Sequence, residues 1–147
     1  MKRIRIIILL SFLFVFKANA QDERTKQVLS FLKEKKIEAQ VLESGEIWFV
    51  EYNTDYVIRI PKKGEKFIEI TCPSAYYITT EKEKKQAYEA SSAVAQEYPL
   101  TKAYIKGEDF YISCELYVEN FDNFKEYFDT VFKNILDASE YVLYSFH

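Results

Sequence analysis

The sequence predicts an α+β domain with the order helix, three antiparallel strands, helix, two strands, helix. Apolar residues recur at every third or fourth position in three segments, which is the spacing of amphipathic helices, and they alternate with polar residues in five other segments, as in half-buried strands. Short turns join the strands, and short connections favour antiparallel pairing. Of the 147 residues, 48% are hydrophobic and 29% are charged, which fits one globular domain and excludes a disordered or polytopic membrane protein.

The first twenty residues have the pattern of a secretory signal peptide. A basic start, Lys2 to Arg5, precedes an apolar stretch, Ile6 to Phe16, and small residues occupy the positions that a signal peptidase reads before Gln21. The apolar stretch is about half of the roughly 20 residues that a transmembrane helix needs. We therefore expect residues 1–20 to be removed on export and residues 21–147 to form a single domain in the periplasm or outside the cell.

Removal of the leader makes the chain acidic. The leader has four basic and no acidic side chains, so the mature chain has 16 basic against 23 acidic side chains, a charge of −7. Nucleic acids and anionic lipid surfaces are bound through a basic field, which this chain lacks. We expect neither a nucleic acid nor, after cleavage, a membrane as a partner.

Three segments have the apolar spacing and the end signals of helices. The first runs from Asp22 to about Lys36. The second begins at a capping box formed by Thr80 and Glu83, and it stops before Pro99. The third follows Asn120, which can cap it, and a continuation through Tyr141 to Tyr144 stays open. Its apolar positions are Phe121, Phe124, Phe128, Val131, Phe132 and Ile135.

Five segments have the alternation of strands. Pro61 and Pro73 are expected to end the second and third of them, and Ile37 to Leu42 is interpreted as a transition into extended chain. The predicted strands are Ile47 to Glu51, Tyr56 to Ile60, Lys66 to Cys72, Leu100 to Lys106 and Phe110 to Val118.

Strand alternation sorts the side chains into two faces. One face is mostly apolar and forms the expected core, covered by the first and last helices. It comprises Ile47, Phe49, Tyr56, Ile58, Ile60, Ile68, Ile70, Cys72, Ala103, Ile105, Ile112, Cys114, Leu116 and Val118. The other face is unusually aromatic for a solvated surface. Its partner-binding candidates are Trp48, Val50, Phe67, Tyr104, Tyr111 and Tyr117, accompanied by Val57, Arg59, Glu69 and Glu115. Either the second helix, another protein or a second copy of the chain is expected to cover it.

The two cysteines are expected to be structural. Cys72 and Cys114 lie at apolar positions of two strands, and export to an oxidising compartment leaves two states open, one disulfide or two free buried thiols. The cysteines lack CxxC spacing, and the only histidine is His147. We therefore expect no metal site and no cofactor.

No residue pattern supports catalysis. The serines lack a histidine to activate them, and the acidic pairs of the last helix, such as Asp122 and Glu126, are typical of a solvated helix face. We expect the protein not to be an enzyme. An enzyme that uses a reactive Cys72 or Cys114 stays as an alternative.

Several segments together resemble the YbjN-like family. They are Glu43 to Phe49, Tyr56 to Ile58, Phe67 to Pro73 and Lys102 to Ile105, followed by the phenylalanine-rich last helix. The chain departs from the family at Ser91 and Ser92, where members often have Asn, and in its export signal. The resemblance implies the fold of type III secretion chaperones and a non-enzymatic protein that recognises another polypeptide, often as a homodimer. It assigns no functional residue.

These observations lead to one expected function and one alternative from another class. We expect an exported protein-binding module, chaperone-like or regulatory, with a protein or peptide partner and with a homodimer as one open arrangement. The alternative is an exported inhibitor or small-ligand-binding protein with a pocket between the sheet and the helices.

Overall fold

The computed structural model describes residues 23–60 and 66–146, and every element named below lies in those two ranges. Its helices are α1 (Glu23–Glu34), α2 (Glu81–Glu97) and α3 (Phe121–Ser145), and its strands are β1 (Ala39–Val41), β2 (Ile47–Glu51), β3 (Thr54–Arg59), β4 (Phe67–Tyr77), β5 (Thr101–Lys106) and β6 (Asp109–Tyr117). The predicted signal peptide, residues 1–20, and the predicted turn around Gly64 lie outside the described residues.

The strands form one antiparallel sheet in the order β1-β2-β3-β4-β6-β5. This confirms the α+β class, but the predicted number of strands was wrong, because β1 lies in the segment interpreted as a transition into extended chain. β1 is only three residues long and none of them is fully buried, so its Ala-Gln-Val alternation is too short to predict a strand. It pairs with β2 through Ala39 and Phe49 and through Val41 and Ile47.

Pro73 does not end the third predicted strand. β4 continues to Tyr77, and its pairing with β6 shifts register between Cys72 and Tyr76. A β-bulge tolerates proline because the extra residue leaves the hydrogen-bonded ladder, so the missing N–H costs no ladder bond. Beyond the bulge, β4 makes two further residue pairs with the start of β6, Tyr76 with Phe110 and Tyr77 with Asp109.

Helix α3 packs its aromatic ridge against one face of the sheet. The ring of Phe132 lies 4.9 Å from that of Tyr56 and 5.7 Å from that of Phe49. Further along, the ring of Phe128 lies 5.3 Å from that of Phe31 on α1. Because buried side chains of α1, of the sheet and of α3 belong to one cluster, a single core holds these elements together. The predicted core face of the sheet is thus the face covered by helices.

Helix α2 lies in the same helical layer. Its buried face consists of Ala87, Ala90 and Val94, which belong to the same core. Gln86 Nε2 donates a hydrogen bond to the Ser145 carbonyl at the end of α3. Small side chains allow α2 to approach α3 and β5 closely. Of the alternatives left open for covering the aromatic face, the second helix is therefore the wrong one. In the two described ranges, no helix combines the length and apolarity needed to cross a bilayer.

A hydrogen-bonded cluster around Glu83 joins the end of β4 to the start of α2. Its carboxylate accepts hydrogen bonds from the backbone N–H groups and hydroxyls of Thr79 and Thr80, and from the Tyr76 hydroxyl at 2.9 Å. Thr80 Oγ1 in turn accepts from the Glu83 N–H, which confirms the predicted capping box. The Tyr76 ring stacks on Phe146 just beyond α3, 3.8 Å between centroids. The cap therefore ties three elements together.

We predict that Thr80→Ala lowers the free energy of unfolding by about 1 kcal/mol, since it removes the N-cap acceptor of α2. Thermal denaturation followed by circular dichroism measures this as a lower melting temperature. Ser92→Ala, at an exposed position in the middle of α2, is the matched control and should cause no loss. Equal melting temperatures for Thr80→Ala and the unsubstituted chain would contradict the role of the cap.

The cluster also predicts a dependence of stability on pH. Hydrogen bonds to the Glu83 carboxylate, of which those from Thr79 have the largest effect, lower the pKa of Glu83 from 4.5 to about 2. Because the folded state has the lower pKa, the carboxylate stabilises the fold fully above pH 4.5, and this contribution is lost as the pH falls towards 2. The melting temperature should therefore fall more steeply over this interval for the unsubstituted chain than for Glu83→Gln. Curves of melting temperature against pH that run parallel for the two proteins would disprove this linkage.

Candidate functional site

The outer face is the face of the sheet turned away from the helices. Strand register sets its composition, because Trp48, Val57, Thr71, Ser113 and Lys102 follow one another across five neighbouring strands. The complete set is Gln40, Trp48, Val50, Asp55, Val57, Arg59, Phe67, Glu69, Thr71, Tyr77, Lys102, Tyr104, Lys106, Asp109, Tyr111, Ser113, Glu115 and Tyr117. Among the described residues, no helix packs over this face.

All six partner-binding candidates lie on the outer face. Four are exposed to a degree that is unusual for large apolar side chains: Phe67 (52%), Tyr117 (47%), Val50 (41%) and Tyr104 (38%). Trp48 and Tyr111 are half-buried. The structure thus places the six candidates together on one surface.

The candidates form three patches. Tyr104 and Tyr111 stack across β5 and β6, 5.3 Å between centroids. Phe67 and Tyr117 meet edge to face at 5.4 Å across β4 and β6. The third patch, Trp48 with Val50, lies on β2 at the other side of the sheet. Aromatic rings of this kind bury a large area and keep a polar edge, which suits a binding surface.

Charged side chains between the patches neutralise one another within the face. Arg59 Nε lies 3.0 Å from Glu69 Oε2, and Lys102 Nζ lies 2.7 Å from Glu115 Oε2. The indole N–H of Trp48 donates to Asp55 Oδ1 at 3.0 Å and fixes the ring orientation. Strand alternation predicts that acidic and basic side chains share this face. Only the register of the strands shows which of them form ion pairs.

Two lysines that sequence reasoning missed border the aromatic patches. Lys106 Nζ lies 5.7 Å from the Tyr111 ring centroid. Lys66 Nζ lies 5.6 Å from the Tyr117 ring and donates a hydrogen bond to its hydroxyl, which raises the pKa of Lys66. An ammonium near an aromatic face is attracted to the ring. The signal in the sequence is weak, since these lysines look like ordinary strand ends.

A cleft of about 300 Å³ opens beside the Trp48 patch. It is lined by Lys36, Glu38, Trp48, Val50 and Glu51. Lys36 and Glu38 were not among the predicted site residues, because they lead into β1, the strand that the sequence does not reveal. The cleft lies at the outer face, not between the sheet and the helices.

The centre of the outer face is shielded from water. Ser113 is fully buried there, and its hydroxyl makes no hydrogen bond of standard geometry to any described residue. Burial raises the pKa of the neighbouring Tyr104, and the charge of Glu69 adds to the rise. The Tyr104 hydroxyl therefore stays protonated and able to donate a hydrogen bond at neutral pH.

Cys72 and Cys114 lie on the core face, away from this surface, and both are free and buried. Cys114 lies opposite Ile70, and Cys72 lies opposite Ile112, so the two thiols are diagonal neighbours on adjacent strands. Diagonal Cα atoms are roughly 7–8 Å apart, which is longer than disulfides usually span. Burial raises the pKa of Cys114 to about 11 and also raises that of Cys72, so neither is a reactive thiolate.

The described ranges contain no cluster of three or more His, Cys, Asp or Glu side chains arranged to hold a metal ion. Comparison of the chain with protein-family models and with curated proteins finds no match. The likeness to the YbjN-like family therefore depends on the sequence segments quoted above.

We predict that neither cysteine is alkylated in the native protein at pH 8, because both thiols are buried and protonated. Treatment with iodoacetamide, followed by mass spectrometry, should show no label on the native chain. After denaturation without reductant, it should show two labels. Labelling of the native chain would contradict the buried, unreactive state. Two labels appearing only after reduction would reveal a disulfide.

Proposed function

We propose that this chain is an exported, non-enzymatic protein-binding module, chaperone-like or regulatory, that binds an extended polypeptide on its outer face. The observation that carries the proposal is the exposure of Phe67, Tyr104 and Tyr117 on a sheet face that no described helix covers. Large exposed apolar groups on one surface typically mark a site of interaction.

The chemistry of the outer face favours a polypeptide over a small molecule. Its three patches lie on different strands, so one small ligand would fill only one of them, whereas an extended chain can contact several. The ion pairs Arg59–Glu69 and Lys102–Glu115, together with the tyrosine hydroxyls, offer polar contacts to a main chain. Membership of the YbjN-like family, with a type III secretion chaperone-like fold, is part of the same proposal.

The alternative of a small-ligand pocket between the sheet and the helices has less support. Fully buried side chains such as Phe49, Ile70 and Phe124 fill the space between the two layers. The cleft beside Trp48 lies on the outer face and therefore belongs to the proposed binding surface.

A permanently unfolded polypeptide tests the proposal directly. We predict that fluorescein-labelled, reduced and carboxymethylated ribonuclease A binds the purified chain, as measured by fluorescence anisotropy. Phe67→Ala combined with Tyr104→Ala should weaken binding about 30-fold, because it removes the anchors of two patches. Both side chains are exposed, so the fold should persist, which circular dichroism verifies.

The matched control combines Tyr88→Ala with Tyr144→Ala, which truncates two tyrosines of α2 and α3 that are 60% and 73% exposed. This variant should bind as tightly as the unsubstituted chain. Equal binding by both double variants would show that the outer face is not the site, and absence of binding to the unsubstituted chain would disprove general polypeptide recognition.

A further inference from the structure

We propose that the cleft beside Trp48 holds the guanidinium group of an arginine side chain, so that the outer face prefers extended polypeptides that contain an arginine. This inference rests on the proposed function, because it names the side chain that the bound polypeptide inserts. It adds a specificity site on the β2 side of the sheet, whereas the proposed function by itself requires only that the aromatic patches are covered.

The size and position of the cleft suit one long side chain. Its volume of about 300 Å³ is at the lower limit for pockets that hold whole small molecules. The cleft opens at the outer face beside Val50, which is 41% exposed. A polypeptide that lies across the strands can therefore insert a side chain into the cleft while its main chain stays on the surface.

The charges around the cleft favour a cation. The lining carboxylates of Glu38 and Glu51 stand against a single ammonium group, that of Lys36. Asp55, on β3 directly opposite Val50, adds a third carboxylate next to the cleft. An opposite charge on the incoming group is therefore attracted, and an acidic side chain is repelled.

The acids of the cleft differ from those at the centre of the outer face in having no cationic partner. Glu69 and Glu115 at the centre both take part in ion pairs. Neither Glu38 nor Glu51 forms an ion pair with any described residue. A guanidinium group can consequently pair with the acids of the cleft without displacing an existing partner.

The apolar wall of the cleft favours arginine over lysine. Trp48 and Val50 form this wall, and the hydrogen bond of 3.0 Å from the indole N–H to Asp55 Oδ1 holds the ring in place. A guanidinium group is planar and weakly hydrated, so it stacks on an aromatic ring and donates two hydrogen bonds to a carboxylate, whereas an ammonium group is compact and strongly hydrated. The methylene groups of arginine add apolar contact with the wall.

Tryptophan fluorescence of the purified chain tests the assignment, because Trp48 is the only tryptophan. The probe is a blocked nine-residue peptide of serine, threonine and valine with one central arginine. It should bind about 10-fold more tightly than the same peptide with citrulline, which has the shape of arginine without its charge. The lysine peptide should bind about 3-fold more weakly than the arginine peptide, since its ammonium group does not stack in the same way.

Substitution of the two acids tests which residues give the preference. Glu38→Gln combined with Glu51→Gln should abolish the preference for arginine over citrulline, and circular dichroism checks that the fold persists. The matched control combines Glu89→Gln on α2 with Glu126→Gln on α3, both at exposed positions of the helical layer. It removes the same charge from the chain and should keep the 10-fold preference.

Three results would overturn the inference. They are absence of binding by the arginine peptide, equal Kd values for the arginine and citrulline peptides, and a preference that survives loss of both acids of the cleft or disappears in the control. The unfolded ribonuclease A probe separates the two proposals. Binding of that probe without any preference for arginine leaves the proposed function and removes the inference, whereas an arginine preference without binding of the probe does the reverse.

Discussion

The packing of α3 across one face of the sheet is the constraint on which the rest of the structure depends. A helix of 25 residues is about 37 Å long, enough to cross all six strands. Phe128 contacts α1, Phe132 contacts the sheet, and the end of α3 receives α2. α1 and α2 both bury their apolar side chains beside α3. The three helices therefore form one layer. The opposite face of the sheet is left open as a direct consequence.

The composition of the open face favours contact with a partner molecule. The rings of Tyr104 and Phe67 favour removal from water, and the paired charges around Glu69 and Glu115 lower the cost of burying them. In the proposed function, an extended polypeptide meets these requirements by laying its side chains across the patches.

Strong local signals predicted most of the fold. The second and third helices were located accurately from the capping box at Thr80, the Asn120 cap and the phenylalanine spacing of α3. These signals are reliable because each depends only on residues close together in the sequence. Strand alternation also identified the outer face correctly. The sequence did not reveal β1, which forms only through its pairing with β2, or the passage of β4 through Pro73 by a bulge. The sequence also did not show on which face of the sheet α2 packs, because its small buried side chains fit against either face.

The proposed function requires that an extended polypeptide contacts the outer face and no other surface. Chemical-shift mapping by NMR on the purified chain, during titration with unlabelled carboxymethylated ribonuclease A, tests it residue by residue. We expect the shifted resonances to belong to outer-face residues of β2 to β6, including the Trp48 indole N–H, while those of α2 and of the exposed side of α3 stay unchanged. Shifts concentrated on the helical layer, around Tyr88 and Tyr144, would contradict it.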